Sequence, residues 1–313
     1  MGVSGINQCG ILQRGGFDVS REMLQVWITG SKGFVGRRLV ERWRAEHWAV
    51  SEWDRTGGHD VTDWNDVKAV APFEVAVHLA ARTFIPGSYA DPREYYRVNV
   101  LGTLNALELC RLHRARMVFV SAYVYGAPQY LPVDERHPVQ ATNPYTQSKL
   151  LGEELCRAYH RDFGVPSTIL RIFNIYGPDQ TGDFLIPSIL RQLQTGRISL
   201  QDPTPKRDFV HVDDVVEACV RAASYTTGGA DCFNIGSGVS ISVQNLVEML
   251  VACSGQPVTV EFTGRKRERE IPDTRCDFGK ARKLLGWEPR IRLEDGIRAL
   301  VQQFIRATQR AAQ

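Results

Sequence analysis

An apolar run at 24–29 feeds straight into Gly30-Ser31-Lys32-Gly33-Phe34-Val35-Gly36 and then into a segment with amphipathic helical spacing. A strand, a glycine turn and a helix in immediate succession leave few folds open. Glycines so spaced let the chain reverse tightly and bring N–H groups at a helix N-terminus up to an anion, with no Cβ in the way. The arrangement suits a pyrophosphate. Asp54 strengthens the reading, because it closes the second apolar run 18 residues beyond Gly36, where a carboxylate can bond the hydroxyls of a ribose. Arg55 pulls the other way: the carboxylate repels a 2′-phosphate, whereas the adjacent guanidinium would pair with one. The expected cofactor is NAD, with NADP as the alternative.

Apolar patterning beyond this turn alternates between helical and extended periods. It predicts a helix over 34–47, strands over 49–53 and 75–79, a helix over 94–113, a strand over 117–121, a helix over 145–163 and a strand over 167–172. Such alternation implies a parallel sheet covered on both faces. After Asn174 the elements shorten: helices near 186–194 and 213–223, a strand at 232–235, a helix at 243–252, a strand at 258–262, and terminal helices near 279–285 and 293–308. The expected fold is α/β, a Rossmann-type doubly wound parallel sheet with a smaller mixed α/β C-terminal lobe. Residues 23–173 form the NAD(P)-binding domain and take back 209–240, 174–313 are mainly substrate-binding, and 1–22 are a flexible extension. The cleft between the two units lies at the carboxyl ends of the strands.

Composition excludes several other classes. The 38 basic and 35 acidic residues nearly cancel, with no long block of like charge, so no nucleic-acid partner is expected. No apolar stretch approaches 18 residues, and no secretory core precedes the first strand. Ile6 stands where a myristoylation start needs Ser or Thr. Seven cysteines, an odd number without Cys-x-x-Cys spacing, read as reduced thiols in a cytoplasmic protein with no metal site.

Tyr145 and Lys149 stand four apart on a predicted helix and so share one face. A free phenol is a poor base at neutral pH. A neighbouring ammonium, helped by the positive ring of an oxidised nicotinamide, stabilises the phenolate and makes it a usable one. Ser121, at the end of a strand, is placed to donate a hydrogen bond to the same substrate oxygen.

With the glycine turn, His78-Leu79-Ala80-Ala81, Ser121-Ala122-Tyr123-Val124-Tyr125-Gly126 and Asn143-Pro144-Tyr145-Thr146-Gln147-Ser148-Lys149 in hand, the sequence resembles the extended short-chain dehydrogenase/reductases, specifically the nucleotide-sugar epimerase/dehydratase family. The resemblance implies a Ser121/Tyr145/Lys149 triad, with Lys149 also on the ribose. Gly30, Gly33, Phe34, Val35 and Gly36 would hold the pyrophosphate, and Asp54 and Arg55 the ribose end. Asp60 and Val61 would meet the adenine. Leu79, Ala80, Ala81, Thr83, Asn99, Ile172 and Phe173 would line the rest of the cofactor. On the substrate side it implies Thr83, Ser121, the Asn174 amide at the diphosphate, Leu185 and Ile186 against the base, and guanidinium groups from Arg207 and Arg267.

The family's dehydratases carry acidic residues directly after the strand-end Ser or Thr, where this chain has Ala122 and Tyr123. Without a carboxylate there, 4,6-dehydration loses its acid/base pair. The expectation is therefore a UDP-hexose 4-epimerase with recycling NAD. The alternatives are an NAD(P)H-dependent reductase of the GDP-4-keto-6-deoxymannose type and a non-catalytic NAD(P) sensor. Relatives dimerise through two long helices, and Leu101, Leu104, Leu107, Leu150, Leu151 and Leu155 either serve such a seam or face the sheet.

Overall fold

A computed structural model describes residues 25–226, 228–266 and 270–311. The strands in chain order are β1 (Gln25–Thr29), β2 (Ala49–Trp53), β3 (Val75–His78), β4 (Arg116–Ala122), β5 (Ser167–Ile172), β6 (Asn174–Tyr176), β7 (Arg197–Leu200), β8 (Lys206–His211), β9 (Ala230–Ile235), β10 (Ser240–Ser242) and β11 (Thr259–Phe262). Six of them form one sheet in the order β2-β1-β3-β4-β5-β9, and every pairing in it is parallel.

Alternation along each strand sends successive side chains to opposite faces. Val26, Ile28, Val75, Val77, Val118, Leu170, Phe233 and Ile235 pack on one face under helices Phe34–Ala45 and Val212–Ser224. Trp27, Ala76, Met117, Phe119 and Ile169 pack on the other, under Gly102–His113 and Pro144–Phe163. The sheet is thus covered on both sides, which a parallel sheet requires. A third apolar cluster holds together helices Leu185–Leu193, Val243–Ser254 and Leu293–Ala311. Two small sheets accompany it, β10-β8-β6 and β11-β7.

The expected helix over 94–113 is interrupted. Pro92–Tyr96 and Gly102–His113 are helical, but a wide π turn, Arg97–Leu101, separates them. Its centre is Asn99, whose buried amide bonds the Arg82 N–H and carbonyl and the Ser148 hydroxyl at 2.8, 3.0 and 2.8 Å. A straight helix would not aim all three; such turns often mark functional positions. Strands β6, β7, β8 and β10 escaped the periodicity reading. They are three to six residues long, and β8 opens on Lys206-Arg207-Asp208. No helix among the described residues is long and apolar enough to cross a membrane.

Candidate active site

The glycine turn has the geometry its sequence demands. Gly30 sits at φ +69°, and a Cβ there would lie 2.8 Å from the Ala80 nitrogen. At Gly36 a Cβ would come within 2.1 Å of the Gly30 carbonyl oxygen. Gly33 caps helix Phe34–Ala45 with no side-chain acceptor, leaving the first-turn N–H groups of Phe34, Val35 and Gly36 for an anion. The buried Ser31 hydroxyl has no hydrogen-bond partner among the described residues. This cradle fits a dinucleotide pyrophosphate.

Asp54 lies beside it. One of its oxygens takes the Thr56 N–H and hydroxyl at 2.9 and 2.7 Å, and the other takes the Lys32 N–H at 3.3 Å. Arg55 follows, exposed. Asp60 is held by the Thr62 N–H and hydroxyl and by Arg97, and Val61 is buried where Gly102 passes it. Burial opposes the Asp60 charge; the Thr62 and Arg97 bonds outweigh it and hold the carboxyl below its ordinary range. Leu79 and Ala80 are tied by their N–H groups to the Thr29 carbonyl and hydroxyl, at 3.1 Å each. Ala81 is half-buried and Thr83 exposed.

Helix Pro144–Phe163 begins on a capping box between Asn143 and Thr146, which fixes where Tyr145 and Lys149 leave it. Lys149 is 3% exposed, with its ammonium 4.5 Å from the centre of the Phe119 ring. Burial pushes it down to about 8. Surrounding protein raises the Tyr145 phenol well above its ordinary value, and Tyr95 adds to this. Tyr145 is therefore a neutral phenol at pH 7, and an added positive charge beside it would bring it down.

Ser121 differs from expectation. Its hydroxyl donates to Glu153 Oε1 at 2.7 Å, and Glu153 is fully buried. Arg171 grips the same carboxylate through Nε and Nη2 at 2.9 and 2.6 Å, and Arg157 reaches it at 3.0 Å. Burial works against the Glu153 charge, but Arg171 prevails and keeps the carboxyl below its usual range. An ionised carboxylate only accepts, so the single Ser121 proton goes to Glu153 rather than to a substrate oxygen.

The substrate-side residues divide. Arg207 is half-buried, pairs with Glu270 and bonds the Ile271 carbonyl at 2.7 Å. One N–H of the Asn174 amide is spent on the Asp208 carbonyl at 3.2 Å, tying β6 to β8. Ile186 is buried in the third apolar cluster rather than lining a cleft, because the helix turns its face inward there; Leu185 is half-buried against the same cluster. Ile172 is core, whereas Phe173 packs edge-on to Tyr123 at 5.2 Å. The Tyr123 hydroxyl donates to the Gly126 carbonyl at 2.8 Å, so neither residue after Ser121 supplies a carboxylate. Arg267 lies outside the described residues. Of the six leucines, Leu107 faces the sheet and Leu155 packs beside it, while Leu101 and Leu151 remain exposed.

The residues missed from sequence are Glu153 and Arg171. Their signal was available: a carboxylate one turn beyond Lys149, and one charged residue inside the apolar run Thr168-Ile169-Leu170-Arg171-Ile172.

Residues 26–236 match the model of the NAD dependent epimerase/dehydratase family. A UDP-glucose 4-epimerase from Mycolicibacterium smegmatis is 32% identical over 310 residues, covering 90% of this chain and 98% of the relative. A GDP-6-deoxy-D-mannose reductase from Pseudomonas aeruginosa is 30% identical over 300 residues, covering 90% and 97%. The solved UDP-glucose 4-epimerase of Thermotoga maritima, with UDP-glucose, superposes with a TM-score of 0.84 at 25% identity, covering 91% of this chain and all of that one (100%). With the glycine cradle, the strand-end serine and the Tyr145/Lys149 face in place, the chain belongs to the NAD-dependent epimerase/dehydratase family.

Proposed function

We propose that this enzyme is a nucleotide-sugar 4-epimerase of the UDP-hexose type. The observation that carries the reading is the chemistry at the end of β4: Ser121, Tyr145 and Lys149 supply proton handling, and Ala122 and Tyr123 supply no acid for dehydration. NAD, when bound, would supply reversible hydride chemistry at C4 of the sugar. Tyr145, brought down by the positive charge of an oxidised cofactor, accepts the C4 hydroxyl proton and gives it back, and Lys149 holds ribose hydroxyls. Gly30, Gly33 and the first turn of helix Phe34–Ala45 hold the pyrophosphate, and Asp54 the adenosine ribose. Arg207, freed from Glu270, meets the sugar-nucleotide diphosphate.

The relative named UDP-glucose 4-epimerase supports the substrate class. The second reading, an NADPH-dependent 4-ketosugar reductase, is favoured by exposed Arg55 beside Asp54 and by the Pseudomonas aeruginosa relative. Mass spectrometry of dinucleotide released from the purified protein separates them. Stoichiometric NAD(H) is expected; an empty protein that fills preferentially with NADPH favours the reductase.

On this reading the cofactor lies along the six-stranded sheet and the sugar nucleotide between that sheet and the third apolar cluster. Exposed Leu101 in the π turn, Leu112 on helix Gly102–His113, and Leu151 and Phe163 on helix Pro144–Phe163, which packs beside it, favour a homodimer through these two helices. Light scattering at the mass of two chains is the expected result. The unpaired cysteines favour a cytoplasmic setting.

A further inference from the structure

Three adjacent strands each carry a polar residue flanked on both sides by apolar ones: Ser121 in β4, Arg171 in β5 and Asn234 in β9. The register makes Ser121 and Arg171, and Arg171 and Asn234, direct partners. Their side chains therefore leave the sheet on one face, the face under helix Pro144–Phe163. All three are buried. Tyr125 closes the row: its ring lies 4.8 Å beneath the Arg171 guanidinium and its hydroxyl donates to Asn234 Oδ1 at 2.6 Å. Apolar side chains of similar size are generally as stable as a buried ion pair, so stability does not account for this row.

Glu153 comes down on it from the helix that also carries Tyr145 and Lys149, at successive four-residue steps. We propose that Glu153, held by Arg171, is a positioning residue for the reaction. By taking the Ser121 proton it fixes Ser121 as a hydrogen-bond acceptor, so that Ser121 receives the proton of a sugar hydroxyl beside the reacting one and holds the sugar with its C4 hydroxyl proton turned to Tyr145. The assignment rests on the proposed function only in placing Ser121 beside the reacting carbon of the sugar. One helix then supplies the base, the ammonium and, through Glu153, the direction of the serine hydroxyl.

Two readouts test it. In protein carrying ¹³C-carboxyl glutamate, the infrared difference between wild type and Ser121→Ala should show one shifted carboxylate stretch, which disappears when the same pair is compared in a Glu153→Gln background. No shift overturns the proposal. In turnover of UDP-glucose, Glu153→Gln should lower kcat on the order of tenfold with KM unchanged. The Ser121→Ala/Glu153→Gln double variant should be no slower than Ser121→Ala alone. Multiplicative losses would make Glu153 merely structural and overturn the proposal. Glu153→Gln leaves Arg171 buried without its partner, so Glu153→Leu/Arg171→Met provides a second background expected to fold and to show the same non-additivity. Should wild type not convert UDP-glucose, the proposed function fails, while the infrared comparison still decides whether the Ser121–Glu153 bond exists.

Discussion

The two ends of the proposed active site are built from different material. At the glycine turn the working groups are backbone N–H donors, and the side chains contribute mainly by being absent. Around Ser121, Tyr145, Lys149, Glu153 and Arg171 the proposed working groups are side chains, carried by β4, β5 and helix Pro144–Phe163. At the first end, binding and folding share the same atoms and should fail together. At the second they are separable, and function there runs against stability.

The largest expected effect belongs to the side-chain end. Tyr145→Phe should lower kcat on the order of 10³-fold with an unchanged melting temperature, as stopped-flow turnover and calorimetry would show. Lys149→Met should likewise abolish turnover, yet stabilise the unliganded protein by about 3 kcal/mol at pH 7, since burial holds the ammonium at about 8 against 10.5 in the unfolded chain. The sign follows from proton counts. Between pH 8 and 10.5 the unfolded chain binds the proton that the folded one has released, so wild-type stability rises with pH across that window and the advantage of the variant shrinks. Denaturant melts at pH 7 and pH 10 measure both parts, and a destabilised Lys149→Met would break the comparison.

Gly36→Ala tests the backbone end. Its Cβ would meet the Gly30 oxygen at 2.1 Å, so a loss of about 2 kcal/mol in stability should accompany loss of retained dinucleotide. Either loss without the other contradicts the idea of shared atoms. Arg207→Gln carries the smallest effect: KM for the sugar nucleotide should rise roughly tenfold while cofactor content stays constant, measured by steady-state kinetics and mass spectrometry.

This division also explains what the sequence disclosed. A backbone site imprints itself as glycine, and Gly30, Gly33 and Gly36 announced the turn without any knowledge of their neighbours. The parallel sheet was equally plain, because its strands are apolar runs separated by helical periods. The side-chain row was not: Ser121 was found as a strand-end hydroxyl, but Arg171 and Asn234 become its neighbours only through strand register and Glu153 only through the helix packed on that face. Asn99 was placed near the cofactor, but the π turn it organises depends on distant Arg82 and Ser148. Arg207 was found as a guanidinium, whereas its pairing with Glu270 is a tertiary fact.

The central claim is hydride return within one site. It is tested most directly by giving the purified protein UDP-galactose deuterated at C4, with no dinucleotide added. UDP-glucose with deuterium retained at C4 is the expected product. Failure to form the isomer, together with NADPH-dependent reduction of a nucleotide 4-ketosugar, would contradict it.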